Sequence, residues 1–118
     1  MKVAQFSSFG IASQVIECVD APNPNDPKED EVLIDVLACP INPADVLNIE
    51  GKYGVKAQLP ARLGAECVGK VKKIGSSVTD LKIGDIVLPL DRENWVQQKI
   101  VHKNNLILLP NNIDPIQL

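Results

Sequence analysis

Residues 38 to 69 bring together several side chains able to do chemistry: Asn42, Asp45, Tyr53 and Glu66, with the cations Lys52, Lys56 and Arg62 around the tyrosine. A phenol has an ordinary pKa of about 10 and is protonated at neutral pH. Tyr53 can therefore give a proton or a hydrogen bond to an anion forming beside it. Asn42 and Asp45 flank Pro43 with the spacing of a helix start, where free N–H groups also suit an anionic ligand. Each group has a plainer reading as well. Tyr53 can pack its ring in a loop, Asn42 and Asp45 can cap the helix, Glu66 can join a structural ion pair, and the cations can coat a solvated loop. Residue types alone leave both readings open.

Metal chemistry fits the sequence poorly. Cys18, Cys39 and Cys67 are odd in number, contain no CxxC pair, and are joined by a lone His102. A zinc site needs about four N, S or O ligands, usually closely paired, so the thiols read as buried or spectator groups, and a disulfide framework is not expected. A net charge of −3 argues against nucleic acid as a partner. No apolar run is long enough to span a membrane. The strand-like pattern starts at Met1-Lys2-Val3 with no signal peptide before it, so a cytoplasmic location is expected.

The elements that must hold these residues are short. Val3 to Phe6 reads as a strand, with Ser13 to Val19 as its partner across a turn at Phe9-Gly10. The Pro-rich stretch 21–31 excludes a helix. Glu31 to Cys39 is a strand in which Val32, Ile34 and Val36 share one face and Leu33, Asp35 and Leu37 the other. A helix is predicted over Pro43 to Glu50, with Asn42 as N-cap, Pro43 at its first position, Asp45 in its first turn and Gly51 as its stop. Further strands follow at Glu66 to Ile74, Ile86 to Leu88, Trp95 to Val101 and Leu106 to Leu109, with Gly75-Ser76-Ser77 and Gly84-Asp85 as turns. Only four aromatics serve the core, so Val, Ile and Leu must fill it. Many short strands with Gly and Pro turns indicate a mainly β fold, a sandwich or partly open barrel with short helices. Trp95 is expected to pack on the core or a pocket wall. Asp114-Pro115 reads as a helix start cut off after one turn.

Three segments, Asn42-Pro43-Ala44-Asp45, Gly64-Ala65-Glu66-Cys67-Val68-Gly69 and Gly84-Asp85-Ile86-Val87, together resemble the medium-chain dehydrogenase/reductase family. The resemblance covers nearly the whole chain, as that family's N-terminal GroES-like catalytic domain. It implies a GroES-like, partly open β-barrel over residues 1–118. The zinc enzymes of the family place a Cys and a His where this chain has Asn42 and Ala65. The cysteine-rich lobe that holds structural zinc is also missing, because Asp91-Arg92-Glu93-Asn94-Trp95 runs directly into a strand. The chain is thus similar to the zinc-independent branch, whose quinone oxidoreductases and 2-enoyl thioester reductases share Asn-Pro-x-Asp followed by Gly-x-Tyr. Gly51-Lys52-Tyr53 and the later Arg92-Glu93-Asn94-Trp95 look closer to the enoyl reductases. The resemblance implies NADP(H) as cofactor, an enoyl thioester or a quinone as substrate, Tyr53 as proton donor, and Asn42 and Asp45 as cofactor-binding residues.

A dinucleotide site needs a glycine-rich turn between a strand and a helix, and no such turn occurs here. The chain alone is expected to be inactive and to bind no NADP(H), as the catalytic half of a larger reductase. The competing reading is a stand-alone GroES-like domain used for binding or assembly. Ile107, Leu109, Ile113 and Ile116 are candidates for an exposed face through which the piece would self-associate.

Overall fold

In chain order the elements are β1 (Lys2–Phe6), α1 (Ala12–Val15), β2 (Ile16–Asp20), β3 (Glu31–Ala38), α2 (Pro43–Glu50), β4 (Ala61–Arg62), β5 (Val68–Ile74), β6 (Ile86–Pro89), β7 (Gln98–His102) and β8 (Leu106–Leu108). Single 3-10 turns lie at Lys103–Asn105 and Pro115–Gln117. These come from a computed structural model that describes residues 1–54, 56–110 and 112–117. Five strands form one antiparallel sheet in the order β7-β3-β5-β6-β8, and three form a second in the order β2-β1-β4.

The segment 95–97 stitches the sheets together. Ala4 N–H donates to Trp95 O (3.0 Å), Gln97 N–H to Lys2 O (3.2 Å) and Val36 N–H to Gln97 O (2.9 Å). This connection, rather than a continuous ladder, joins the two sheets, so the barrel is partly open, as the sequence indicates. The seam also explains why the strand predicted from Trp95 is registered with β3 only from Gln98 onward.

Two apolar clusters form. Val32, Ile34, Val71, Val78, Leu81, Val87 and Val101 pack under the five-stranded sheet. Burying each such side chain contributes roughly 1.5–3 kcal/mol. A smaller cluster of Phe6, Ile49 and Leu63 ties β1 to α2, with Phe9, Val15 and Trp95 at its margin. Phe6 and Phe9 meet edge to face with centroids 5.9 Å apart. The alternation expected in β3 holds only in part. Leu33 is buried beside Val32 and Ile34, and Val36 is only half-buried, because bulges between Leu33 and Ile34 and between Val36 and Ala38 shift the register.

The partner strand expected over Ser13 to Val19 is divided. Ile11 O accepts from Gln14 N–H (2.9 Å) and Val15 N–H (3.2 Å), closing one helical turn that brings Ala12 and Val15 onto the Phe6 cluster. Only from Ile16 does the chain pair with β1, as an exposed edge strand. At the other end of the chain, the expected helix start is one 3-10 turn, in which Ile116 N–H donates to Asp114 Oδ1 (3.0 Å). Ile107 and Ile116 are exposed, whereas Leu109 and Ile113 are half-buried. No helix among the described residues is long and apolar enough to cross a membrane.

Candidate functional site

Helix α2 spans Pro43–Glu50 as the capping pattern requires, and stops at Gly51, whose φ of 74° only glycine adopts readily. Its N-terminus is fixed by Asp45, which is 5% exposed. Asp45 Oδ2 accepts from Asn42 N–H (2.9 Å) and its Oδ1 accepts from Ala65 N–H (3.0 Å). One carboxylate thus spans the helix start and the Gly64-Ala65-Glu66 turn. Asn42 turns its amide across the same gap, and its Nδ2 donates to Glu66 Oε2 at 3.2 Å. Glu66, expected in an ion pair, has this neutral amide as its hydrogen-bond partner and is exposed.

The opposite wall is the segment 90–95. Gly64 has φ of 112°, and a Cβ there would lie 2.6 Å from Trp95 Cδ1 and 2.7 Å from Trp95 N. Only a glycine lets the two backbones meet, with Trp95 N–H donating to Leu63 O (2.9 Å) and Asn94 N–H to Gly64 O (3.2 Å). Asn94 is wholly buried. Its Nδ2 donates to Asp91 O (2.8 Å) and Gly64 O (3.2 Å), and its Oδ1 accepts from Lys99 Nζ (2.8 Å) and the Cys67 thiol (3.3 Å). Lys99 Nζ also donates to Asp91 Oδ1 (2.7 Å) and Arg92 O (3.0 Å). Glu93 sits in the left-handed region with φ of 68°, an uncommon conformation for a residue with a side chain. Trp95 reaches across to donate from Nε1 to Pro40 O at 3.3 Å.

Between these walls lies an open cleft of about 560 Å³, whose lining includes Asp45, Asn48, Arg62, Ala65, Arg92 and Glu93. Tyr53 stands just outside that lining. It is 38% exposed, and the guanidinium of Arg92 lies 5.7 Å from its ring centroid. The cation at the tyrosine is therefore Arg92, which the sequence spacing does not reveal. Of the three cations expected around it, Lys52 pairs with Glu50 (3.0 Å), Lys56 lies over the Phe9 ring (5.7 Å), and Arg62 lines the cleft. The Asn94–Lys99–Asp91 group was likewise not anticipated, since nothing in its spacing marks a lysine as buried.

The donor set does not suit zinc. Asn42 presents an amide already bonded to Glu66, Ala65 offers no ligand atom, and among the described residues no three His, Cys, Asp or Glu side chains gather to hold a metal ion. The Cys39 and Cys67 thiols also hold their protons more tightly than an ordinary thiol. Burial, and then the Asp45 carboxylate, raise Cys39, and burial pushes Cys67 up to about 11.

Residues 28–106 match the model of the alcohol dehydrogenase GroES-like domain. The chain belongs to that family. Within it the chain is of the zinc-independent medium-chain dehydrogenase/reductase branch. A mitochondrial enoyl-[acyl-carrier-protein] reductase of Caenorhabditis elegans is 42% identical over 90 residues, covering 74% of this chain and 26% of that enzyme. Among solved structures, this GroES-like domain superposes on Escherichia coli quinone oxidoreductase complexed with NADPH with a TM-score of 0.85 and 28% identity, covering 99% of this chain and 36% of that one. An Etr1p variant solved with NADP and crotonyl-CoA gives 0.75 and 26%, covering 93% and 33%. The chain spans about a quarter of the length of the curated relatives it matches.

Proposed function

We propose that residues 1–118 form the catalytic domain of a zinc-independent, NADPH-dependent reductase acting on the C=C bond of 2-enoyl thioesters, working with a nucleotide-binding domain this chain does not contain. The observation that carries this reading is the cleft rim itself. Positions 42 and 65 hold no metal ligand, and a phenol stands beside the rim, in contact with a residue that lines the cleft. The relatives named as enoyl reductases favour the thioester.

NADPH, when bound, supplies the hydride that reaches the β-carbon of the enoyl group. The residues here fit its nicotinamide end only. The Asn42 amide suits a carboxamide or hydroxyl, whereas the described residues offer no glycine-rich cradle for a pyrophosphate. Asp45 has both oxygens committed to main-chain donors, so its part in cofactor binding is to fix Asn42 and the 64–66 turn. Hydride addition leaves an enolate. Tyr53 Oη passes its proton to the α-carbon, completing the saturated thioester, and the phenolate then regains a proton from water. The enolate oxygen needs a hydrogen-bond donor until that transfer is complete.

The test is NADPH oxidation by the complete gene product, with a crotonyl thioester against a simple quinone. Preference for the thioester, and a loss of about 100-fold or more in Tyr53→Phe, is the expected result. Preference for the quinone would support the second reading, which rests on the fit to the Escherichia coli quinone oxidoreductase. No turnover of either would favour a binding or assembly domain.

A further inference from the structure

Tyr53 occupies a stretch, residues 52–60, in which no helix or strand fixes the described residues. A proton donor must nevertheless be held close to one geometry, because small misplacements cost large factors in rate. The Arg92 guanidinium meets its ring. The backbone of Arg92 is itself unusually constrained. The Lys99 ammonium, its side chain only 10% exposed, has three N–H donors. They reach Asp91 Oδ1, Arg92 O and Asn94 Oδ1. Asn94 in turn grips Asp91 O and Gly64 O, on the turn that Asp45 holds from the other side. A rigid tie therefore runs from the 64–66 turn, through Asn94 and Lys99, to the backbone that carries Arg92. The Arg92 side chain extends from it, exposed, to the Tyr53 ring.

We infer that Arg92 is a positioning residue for Tyr53, placing the phenol at the cleft by a cation–π contact whose own anchor is the Asp91–Asn94–Lys99 group, built around the buried Asn94. The inference rests on the reading of Tyr53 as proton donor, but the contact can be tested without it. Surface cations commonly sit near rings with little consequence. This one differs because its main chain is tied to the interior, so the ring meets a fixed partner.

Tyr53 is the single tyrosine of the chain, so tyrosine-selective isotope labelling reports on it alone by NMR. In Arg92→Met the ring signals should move toward those of free tyrosine, and in Arg92→Lys they should move less. Lys99→Met should reproduce the Arg92→Met change although the guanidinium is still present. Because Arg92 is exposed, its variants remain readable even where Lys99→Met fails to fold. In the complete gene product, Arg92→Met should lower kcat by about 10-fold with KM little changed. It should cause no further loss in a Tyr53→Phe background, and Arg92→Lys should recover part of the rate. Unchanged ring signals in Arg92→Met would overturn the inference whatever the turnover. Shifted ring signals with full turnover in Tyr53→Phe would leave the contact standing and remove the proposed proton transfer instead.

Discussion

The cluster around Ile34 and the cleft wall around Asp45 and Asn94 are equally buried, but they are held by different physics. Under the five-stranded sheet, aliphatic side chains from β3, β5, β6 and β7 exclude water, with Val78 and Leu81 closing the space from the 75–85 connection. Along the cleft, two buried polar side chains and a largely covered ammonium take the place of packing. Asp45 and Asn94 each bond to main chain on a segment distant in sequence, and the Lys99 ammonium bonds to the main chain of the neighbouring 90–95 segment. The apolar cluster tolerates approximate shape, because its attraction is non-directional. The polar wall works only if donors and acceptors meet at their distances, since an unpaired buried group costs more than the bond gains. Regular structure is accordingly concentrated in the sheet. The site is built from turns whose geometry is set by directional bonds.

That contrast can be broken first at its apolar end. Ile34 is fully buried, and its Cδ1 would lie 2.7 Å from a Cβ on Gly69, so the packing there is close. Ile34→Ala should cost about 2–5 kcal/mol, read as a lower denaturant midpoint. Below the transition, the fluorescence of Trp95, the single tryptophan, should be unaltered. A change in that emission before unfolding would mean that the cleft and the core are not separately held.

Asp45→Ala attacks the other side. It strands the N–H groups of Asn42 and Ala65, at a cost of about 1–3 kcal/mol in global stability. Its signature should be local, as faster hydrogen exchange at those two amides while the β3 and β5 amides keep their protection. Asp45→Asn keeps one acceptor oxygen and should recover part of the loss. Uniform acceleration across the sheet would show that the carboxylate supports the whole fold and not the cleft in particular.

The same contrast explains what the sequence made legible. Helix α2 could be placed to the residue because Asn42, Pro43 and Gly51 are local signals, each acting within one turn of its own position. The strands of the larger sheet were visible through their aliphatic runs. The turn at Ala12–Val15 was missed because a strand-like pattern was overridden by packing on Phe6 and Ile49. Arg92 and Lys99 were missed for a deeper reason. The partners that define them, Tyr53 in one case and Asn94 and Asp91 in the other, are fixed by how segment 90–95 docks on Gly64, and no spacing rule encodes that docking.

The smallest expected effect lies where the two regions touch. Cys67 is buried, and its thiol donates to the Asn94 carbonyl oxygen. Burial pushes its pKa from an ordinary 9.0 to about 11, against a downward pull from Lys99 and with small upward pushes from Cys39 and Asp91. The folded chain therefore holds this proton more tightly than the unfolded chain does. The resulting stability is fully present below pH 9 and is lost as the pH climbs toward about 11. Between about pH 8 and about pH 10.5 the wild type should lose on the order of 1–2 kcal/mol more than Cys67→Ala, whose alkaline decline comes only from the groups the two proteins share. Equal slopes would mean that Cys67 ionises in the fold as easily as in water. That outcome would contradict a dry junction between the aliphatic cluster and the Asn94–Lys99 group. A steeper wild-type slope would place the limit of water penetration at Cys67, on the apolar side of the polar wall.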